Sequence, residues 1–505
     1  MTENGKKLIG KSTIVLIVSS VVCKILGAMF RFPLTNLLGF DGIGVFQMIM
    51  SLYSFALVAT SGGVAVALSK LISDARAKDE KWKIKIYFKR ALLVGVGSGI
   101  LLGLAFMFGG KAISTFQAIE NNKSYLFFII LLPCGSVIAA IRGYFQGYEN
   151  MLPTAVSQFV EQVVKFAFGL MFAYLFGRFG ISEGVFGAFL GIVASELISF
   201  VVIFIWFFVK REKVQNRLDV KAKKEFDKTN ILLMFSAILL PFANAIEGLV
   251  IVPRLMRAGI SNANAVKLFG LQSGAVGAIL NLPLIVSVSI ATTLLPSISF
   301  AISKGRSAKG LIEKALKLLI LSVLPTTFGL VAISKQMLPL FYVGIDEELL
   351  NIAFKLMIYS GFSIAFTALM QFFVMLLQAV GEFGYNLKIT SIACVVKVVL
   401  TIVLAAVPGV NIFSIVFGNI VLATSICILA LYKLKKKIDF SLSFMDLFVL
   451  LFSTLSMFFA VYSFMNMNYF SVVANLLVGV LLGVVVYAVF TLPVTTKLLT
   501  KKQKV

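Results

Sequence analysis

The chain has 505 residues, of which 59% are hydrophobic and 13% are charged, and its mean hydropathy is +1.00. A soluble core cannot bury that much apolar surface, so the composition excludes an ordinary soluble protein and requires contact with lipid. The net charge of +24 would suit nucleic-acid binding, but most basic residues fall in loops that alternate along the chain, which excludes nucleic acid as a partner.

Apolar runs long enough to cross a bilayer, ~20 residues each, recur from Leu8 almost to the C-terminus. They predict an all-α polytopic membrane protein with fourteen transmembrane helices. In chain order these are expected at 8–38, 43–69, 88–109, 124–143, 153–177, 185–209, 229–252, 266–297, 311–333, 349–379, 386–408, 412–432, 444–464 and 470–494.

The distribution of positive charge predicts the orientation. If the N-terminus is cytoplasmic, the loops on that side hold 34 of the 46 lysines and arginines. The positive-inside rule therefore predicts that both termini are cytoplasmic. The first apolar run carries Lys24 and Arg31 and lacks a small-residue cleavage site near its end, so we expect it to remain as the first helix.

The basic loop from Lys210 to Lys228 follows six predicted helices and precedes six more, with two left at the C-terminus. We therefore predict an N-terminal lobe at 1–228, a C-terminal lobe at 229–440, and two final helices with a basic cytoplasmic tail at 441–505. Two six-helix halves that begin on the same side should be related by an axis along the membrane normal.

The first predicted helix carries a polar stripe. Ser20, Lys24, Gly27 and Arg31 recur at steps of four, three and four and so share one helical face. An ionisable side chain inside hydrocarbon costs at least ~2.5 kcal/mol, so such residues usually face a wet cavity or a partner. Two cations on one face favour a substrate-binding cavity; snorkelling or pairing with acids elsewhere is the alternative.

The predicted helix 153–177 carries a second stripe, in which Gln158, Glu161, Gln162 and Lys165 follow helical spacing. Two interpretations are equally consistent with it. The stripe is either part of a substrate cavity or a self-neutralising group, because Glu161 four residues before Lys165 is the favourable order for an intrahelical ion pair.

Four further charged residues are candidates for substrate binding. Glu247, in helix 229–252, is a candidate ion site, and Arg254 lies near the outer end of the same helix. Lys397, in helix 386–408, is isolated in the sequence, and pairing between helices is its competing role. Arg142 ends helix 124–143, where a snorkelling anchor is the ordinary alternative.

Enzyme chemistry is excluded by context. Gly5, Gly10, Lys11 and Ser12 match the phosphate-loop pattern, but only four residues precede Gly5 and a membrane helix follows, so the strand that such a loop requires is missing. The chain has no histidine, which removes Ser-His-Asp triads and HExxH metal sites. We expect a transporter without cofactor or metal, driven by the membrane potential or an ion gradient.

Pairs of glycines four residues apart recur in three predicted helices. This spacing is typical of close helix packing in membranes, and we interpret these pairs as structural. They are Gly99 with Gly103, Gly187 with Gly191, and Gly479 with Gly483.

The segment from Arg142 to Lys165 reads RGYFQGYENMLPTAVSQFVEQVVK. It resembles the SpoVB and MurJ-like lipid-linked oligosaccharide flippases of the multidrug/oligosaccharidyl-lipid/polysaccharide exporter superfamily, with support from the Lys24-Ile-Leu-Gly27 segment and from Pro253-Arg254-Leu255. Many peptidoglycan-precursor flippases carry an Arg-Asp pair in helix 1, where this chain has Phe30-Arg31. The departure leaves the exact lipid-linked cargo open.

The resemblance implies a V-shaped pair of six-helix lobes around a cationic cavity, with the last two helices forming a groove for a polyprenyl tail. It implies a bacterial cytoplasmic-membrane flippase whose partners are an undecaprenyl-pyrophosphate-linked saccharide and membrane lipids. By this analogy Lys24, Arg31 and Arg254 bind substrate, together with the stripe at 158–165. The oligomeric state stays open, with a monomer sufficient.

Two other functions compete with the flippase. A cation-coupled multidrug exporter of the same superfamily would use Glu161, Glu196 and Glu247 as ion or cationic-drug sites. A membrane scaffold for wall-synthesis proteins would use the basic loops as docking sites and the buried cations as structural pairs. Replacing Lys24 and Arg31 by Gln separates the flippase from the scaffold, since only the flippase would lose its function.

Overall fold

The computed structural model describes residues 19–120, 123–212, 219–441, 443–467 and 469–500. Within these ranges the regular structure is helical and no strand occurs. The phosphate-loop-like residues Gly5 to Ser12 and the first part of predicted helix 8–38 lie outside the described residues.

The helices are labelled in chain order. The first, α1, is described over 19–29. It is followed by α2 Arg31–Ser61, α3 Val64–Ala77, α4 Trp82–Phe116, α5 Phe128–Gly147, α6 Leu152–Gly177, α7 Ile181–Lys210, α8 Val220–Arg257, α9 Asn262–Phe269, α10 Gly277–Leu280, α11 Leu282–Ser303, α12 Lys309–Phe341, α13 Glu347–Ala379, α14 Phe383–Ala405, α15 Phe413–Lys435, α16 Phe444–Met467 and α17 Val472–Thr500.

The described chain forms two compact units. The first unit contains residues up to Gly274 together with Ile402–Asn411, and the second contains Ala275–Thr401 together with the residues from Ile412 onward. Helix α8 belongs to the first unit, where it packs on α2, α3 and α4. The predicted lobes at 1–228, 229–440 and 441–505 stay a prediction.

Thirteen helical segments of the described chain are long and apolar enough to cross a membrane, which confirms a multi-pass membrane protein. The first of them, Ser19–Ala77, spans 59 residues. A crossing of ~30 Å takes ~20 helical residues, so this segment is long enough for two crossings. The count of fourteen crossings and the cytoplasmic placement of both termini stay predictions.

A single glycine divides this long segment. Gly39 has φ 69° and ψ 176° inside an otherwise helical run, a conformation that a side chain would make costly. The break falls one residue after the predicted end of helix 8–38. The predicted first and second helices therefore separate at the position that the sequence indicated.

The predicted helix 266–297 is interrupted in the structure. A π-helical segment, Gly270–Val276, follows α9, and Asn281 lies in a turn just before Pro283. At Gly270 a Cβ would lie 2.0 Å from the backbone oxygen of Phe40, so the chain approaches α2 too closely for any side chain. The local sequence pattern, which predicts an uninterrupted helix, carries no sign of this backbone contact.

The glycine pairs lie at tight helix contacts, which confirms their structural interpretation. A Cβ on Gly187 would lie 2.3 Å from the backbone oxygen of Phe172, and one on Gly191 would lie 2.3 Å from the Cα of Gly169, both on α6. Helices α6 and α7 therefore pack backbone to backbone. Gly99 and Gly103 approach the backbone of α5 in the same way, and Gly479 and Gly483 contact side chains of α16.

We expect Gly191→Ala to lower the free energy of unfolding by about 1–3 kcal/mol, because the methyl group would overpack the backbone of α6. Gly97→Ala is the matched control, since no heavy atom lies within 4 Å of a Cβ at Gly97 in α4. The control should gain about 0.5–1 kcal/mol from the better helix propensity of alanine. Thermal unfolding in detergent checks both, and equal stabilities would contradict the packing.

The basic loop predicted at 210–228 is partly helical, because α8 begins at Val220. Its first turns are fixed to α4 by polar contacts. Arg90 donates to both carboxylate oxygens of Asp227, at 2.9 and 2.8 Å, and Tyr87 donates to Glu225 at 2.6 Å. These contacts hold the start of α8 against α4 within the first unit.

Candidate substrate-binding site

An ion pair joins α5 to α6 inside the first unit. The guanidinium of Arg142 lies 2.9 Å from Oε2 of Glu161 and donates further hydrogen bonds to the hydroxyls of Ser157 and Ser199, at 2.9 and 3.2 Å. The side chains of Arg142 and Glu161 are only 15% and 20% exposed. The pair is therefore an interior group bonded to three helices, α5, α6 and α7.

This geometry corrects two of the competing interpretations. Arg142 does not act as a snorkelling anchor, because its guanidinium is bonded to α6 and α7 side chains. Glu161 does not pair with Lys165 on its own helix, because Arg142 takes its carboxylate. Among described residues, no carboxylate lies within ion-pairing distance of the Lys165 ammonium.

Sequence reasoning did not assign roles to the hydroxyls around Arg142. Ser157 lies one turn before Glu161 on α6, and Ser199 lies one turn after Glu196 on α7. The Ser199 hydroxyl also donates to the backbone oxygen of Ser157, at 3.0 Å. Their helical spacing from the two acids is the signal that could have identified both serines.

Helix α1 packs along α6. Ser19 donates to the backbone oxygen of Ala155 at 3.1 Å, a Cβ on Gly27 would lie 3.3 Å from the Gln162 side-chain oxygen, and the Phe30 ring covers Gly169. Gly27 belongs to the predicted stripe of Ser20, Lys24 and Arg31. The stripes predicted on the first and fifth helices therefore meet.

Lys165 lies at the junction of these helices. Its ammonium is 6.0 Å from the centre of the Phe30 ring, at the limit of a cation–π contact. Arg31 is the next residue after Phe30. Two predicted cations, one from α2 and one from α6, are thus brought together.

Lys24 is exposed on α1, and no described carboxylate lies within ion-pairing distance of it. Val22, Ile25 and Met29 are also exposed, at 38%, 40% and 49%, but helical spacing puts them on nearly the opposite face. The helix therefore presents an apolar exposed face and a separate face that carries Lys24.

The remaining candidates of the first unit lie on α6 and α8. Gln158 has a buried side-chain oxygen with no hydrogen-bond partner among the described residues. Glu247 is buried, at 8% exposure, where α8 packs on α2. Arg254, in the last turn of α8, is half-buried, and no described carboxylate pairs with it.

Lys397 belongs to the second unit. It is 2% exposed on α14, and its side chain lies close to Gly418 of α15, where a Cβ would be 3.3 Å from Lys397 Cγ. The predicted convergence of cations from both lobes on one chamber stays a prediction.

The second unit contains a groove of about 720 Å³, lined by α11, α12, α16 and α17. Most of its lining is apolar, from residues such as Leu321, Val461 and Val484. Ser322, Thr326, Tyr487, Thr491 and Thr495 also line it, but each of these hydroxyls donates to a backbone carbonyl, at 2.7–3.2 Å. The groove therefore offers few free hydrogen-bond donors.

Comparison with solved structures identifies the fold. A lipid II flippase MurJ in an inward closed conformation matches 96% of this chain and 100% of its own length, with a TM-score of 0.69 and 16% identity. A multidrug resistance MATE family transporter of the MOP superfamily, in an inward-facing conformation, matches 82% of this chain and 96% of its own length, with a TM-score of 0.66 and 14% identity.

Sequence comparison identifies the family. Stage V sporulation protein B of Bacillus subtilis (strain 168) is 27% identical over 436 residues, which cover 81% of this chain and 80% of that protein. The family model described as polysaccharide biosynthesis protein matches residues 9–302, more than half of the chain. The chain therefore belongs to the polysaccharide biosynthesis protein family.

Proposed function

We propose that the chain is a flippase of the MOP superfamily that moves an undecaprenyl-pyrophosphate-linked saccharide across the bacterial cytoplasmic membrane by alternating access. The cargo has an anionic head and a long hydrocarbon tail. The two units offer one surface suited to each part, cations in the first unit and an apolar groove in the second.

The cations of the first unit are the observation that carries the proposal. Lys24 and Lys165 lie in membrane helices, and neither has a carboxylate partner among the described residues. A lysine facing lipid would be costly, so the face that carries Lys24 is suited to a water-filled space. Ammonium groups there would bind a pyrophosphate through charge-assisted hydrogen bonds.

The groove of the second unit is the observation that favours a cargo with a hydrocarbon tail. Its hydroxyls are already bonded to backbone carbonyls, so a polar ligand would find few donors there. The tail of such a cargo is already in an apolar environment in the bilayer, so burial from water adds little, and the groove is suited to an alkyl chain by its apolar lining.

Flipping is tested by reconstitution in liposomes with a fluorescent lipid-linked oligosaccharide, measured with and without an imposed membrane potential. We expect the labelled headgroup to cross the bilayer faster than in protein-free liposomes. A rate equal to that of protein-free liposomes under both conditions would refute the proposal.

We expect Ala488→Trp to reduce flipping of a long-chain substrate at least tenfold, because the indole would fill the groove. Val489→Trp is the matched control, since Val489 is the next residue, is 57% exposed and does not line the groove. Binding of a short-chain analogue should be unchanged in both variants. Equal flipping by the two variants would show that the groove does not hold the tail.

A cation-coupled multidrug exporter is the second candidate, favoured by the likeness to the MATE transporter and by the buried carboxyls of Glu196 and Glu247. Such an exporter should move cationic dyes, whereas the flippase should move the anionic lipid. Dye efflux from the same liposomes separates the two.

A further inference from the structure

Glu196 is a buried carboxyl that the proposed substrate site does not use. The residue is 8% exposed near the middle of α7. Its Oε1 accepts a hydrogen bond from the Tyr53 hydroxyl of α2, at 3.3 Å. No lysine or arginine of the described chain lies within ion-pairing distance, so its near partner is a neutral donor.

Charged groups surround Glu196 at longer range. Helix α5 contributes Arg142, and α6 contributes Glu161 and Lys165, all of which act on its charge. Of these groups, Arg142 is linked directly to the helix of Glu196, because its guanidinium donates a hydrogen bond to Ser199, one turn along α7 from Glu196. The carboxyl is thus adjacent to an ion pair whose acid is Glu161.

The other elements packed on α7 add no further charge near this carboxyl. Cys134 of α5 contacts the backbone oxygen of Glu196, at 3.8 Å, through its thiol. The short 3₁₀ helix Lys123–Phe127 carries Lys123, which is exposed, and Tyr125, whose hydroxyl donates to Gln117 at 2.6 Å.

We propose that Glu196 binds and releases a proton during transport, and that Arg142 responds to its charge. When Glu196 is ionised, it offers the guanidinium a second carboxylate in competition with Glu161. When a proton from water neutralises Glu196, Arg142 stays paired with Glu161 without that competition. Uptake and release of the proton change only this charge, and no other bond is formed or broken.

A proton fits this site better than a metal cation. The described residues contain no group of three Asp, Glu, Cys or His side chains that could hold a metal. The Tyr53 hydroxyl donates its hydrogen toward the carboxylate, so this carboxylate oxygen already faces a hydrogen-bond donor and is less open to a metal ion.

The proton site is tested directly by infrared titration of the purified, reconstituted protein, without substrate. We expect the band of a protonated carboxyl to disappear on raising the pH in the wild type, to be missing in Glu196→Gln, and to persist in Glu161→Gln. Tyr53→Phe, which keeps the ring beside Phe128, should shift the midpoint of the titration. A band of unchanged amplitude in Glu196→Gln would overturn the inference.

The role in transport rests on the proposed function and has its own readout. In liposomes, an imposed pH gradient should change wild-type flipping severalfold and leave the residual flipping by Glu196→Gln unaffected. Wild-type flipping that ignores the gradient overturns the coupling and leaves the flippase standing. If the wild type does not flip the lipid at all, the proposed function fails, and the infrared titration still decides the proton site.

Discussion

Replacing Lys165 by Gln should weaken binding of a pyrophosphate-linked lipid about 10- to 100-fold, the equivalent of the ~1.5–3 kcal/mol carried by a hydrogen bond to a charged group. The ammonium has no described carboxylate partner, lies against Phe30 and is close to Arg31. Its removal therefore takes positive charge from the site without leaving a buried acid unpaired, so the fold should be retained.

The measurement is fluorescence polarisation of a labelled lipid-linked saccharide with the detergent-solubilised protein, followed by flipping in liposomes. Lys111→Gln is the matched control. Lys111 lies exposed on α4, so this substitution removes one positive charge at a position away from the site. We expect the control to bind as the wild type does. Equal affinities of the two variants would remove Lys165 from the substrate site.

The second large effect is on stability. Replacing Arg142 by Gln should lower the free energy of unfolding by about 3 kcal/mol, the lower end of the range for breaking a buried ion pair. The loss is limited because Lys165, four residues from Glu161 on the same helix, can take over part of the pairing. Without Arg142, the only described hydrogen bond to Glu161 comes from Gln162, at 3.3 Å.

The double variant Arg142→Gln/Glu161→Gln tests this cause. Removing both charges should restore more than half of the lost stability, because no buried charge remains unpaired. Arg90→Gln is the control from a more exposed pair, in which Arg90 and Asp227 are 32% and 29% exposed, and should cost only about 0–1 kcal/mol. Reversible unfolding in mixed micelles gives all three values. A double variant no more stable than Arg142→Gln would contradict the ion-pair explanation.

The membrane class and most helix positions follow from the amino-acid sequence alone. Apolar runs of bilayer length are a local property, so helices such as α6, α13 and α16 lie within a few residues of their predicted limits. The glycine pairs were also readable, because the spacing of four residues places two small residues on one helix face. The break at Gly39 lies one residue after a predicted helix end, because the end of an apolar run is also a local property of the sequence.

The sequence also placed the charges on helical faces, but it could not choose their partners. Spacing alone allowed Glu161 to pair with Lys165. Only the tertiary structure brings Arg142 to Glu161, with Ser157 and Ser199 completing the contacts from α6 and α7. Pairing between helices depends on which faces meet, and that is decided by packing over long sequence separations.

The same limit applies to the two protein surfaces that are proposed to bind the cargo. The cationic stripes on the first and fifth predicted helices were visible as periodic patterns, yet their meeting through Gly27 and Gln162 is a product of packing. The apolar groove is built from long apolar runs of four helices, and the local pattern of each run does not mark which of its residues line the groove. Periodicity assigns a residue to a face, and only the tertiary structure decides what that face contacts.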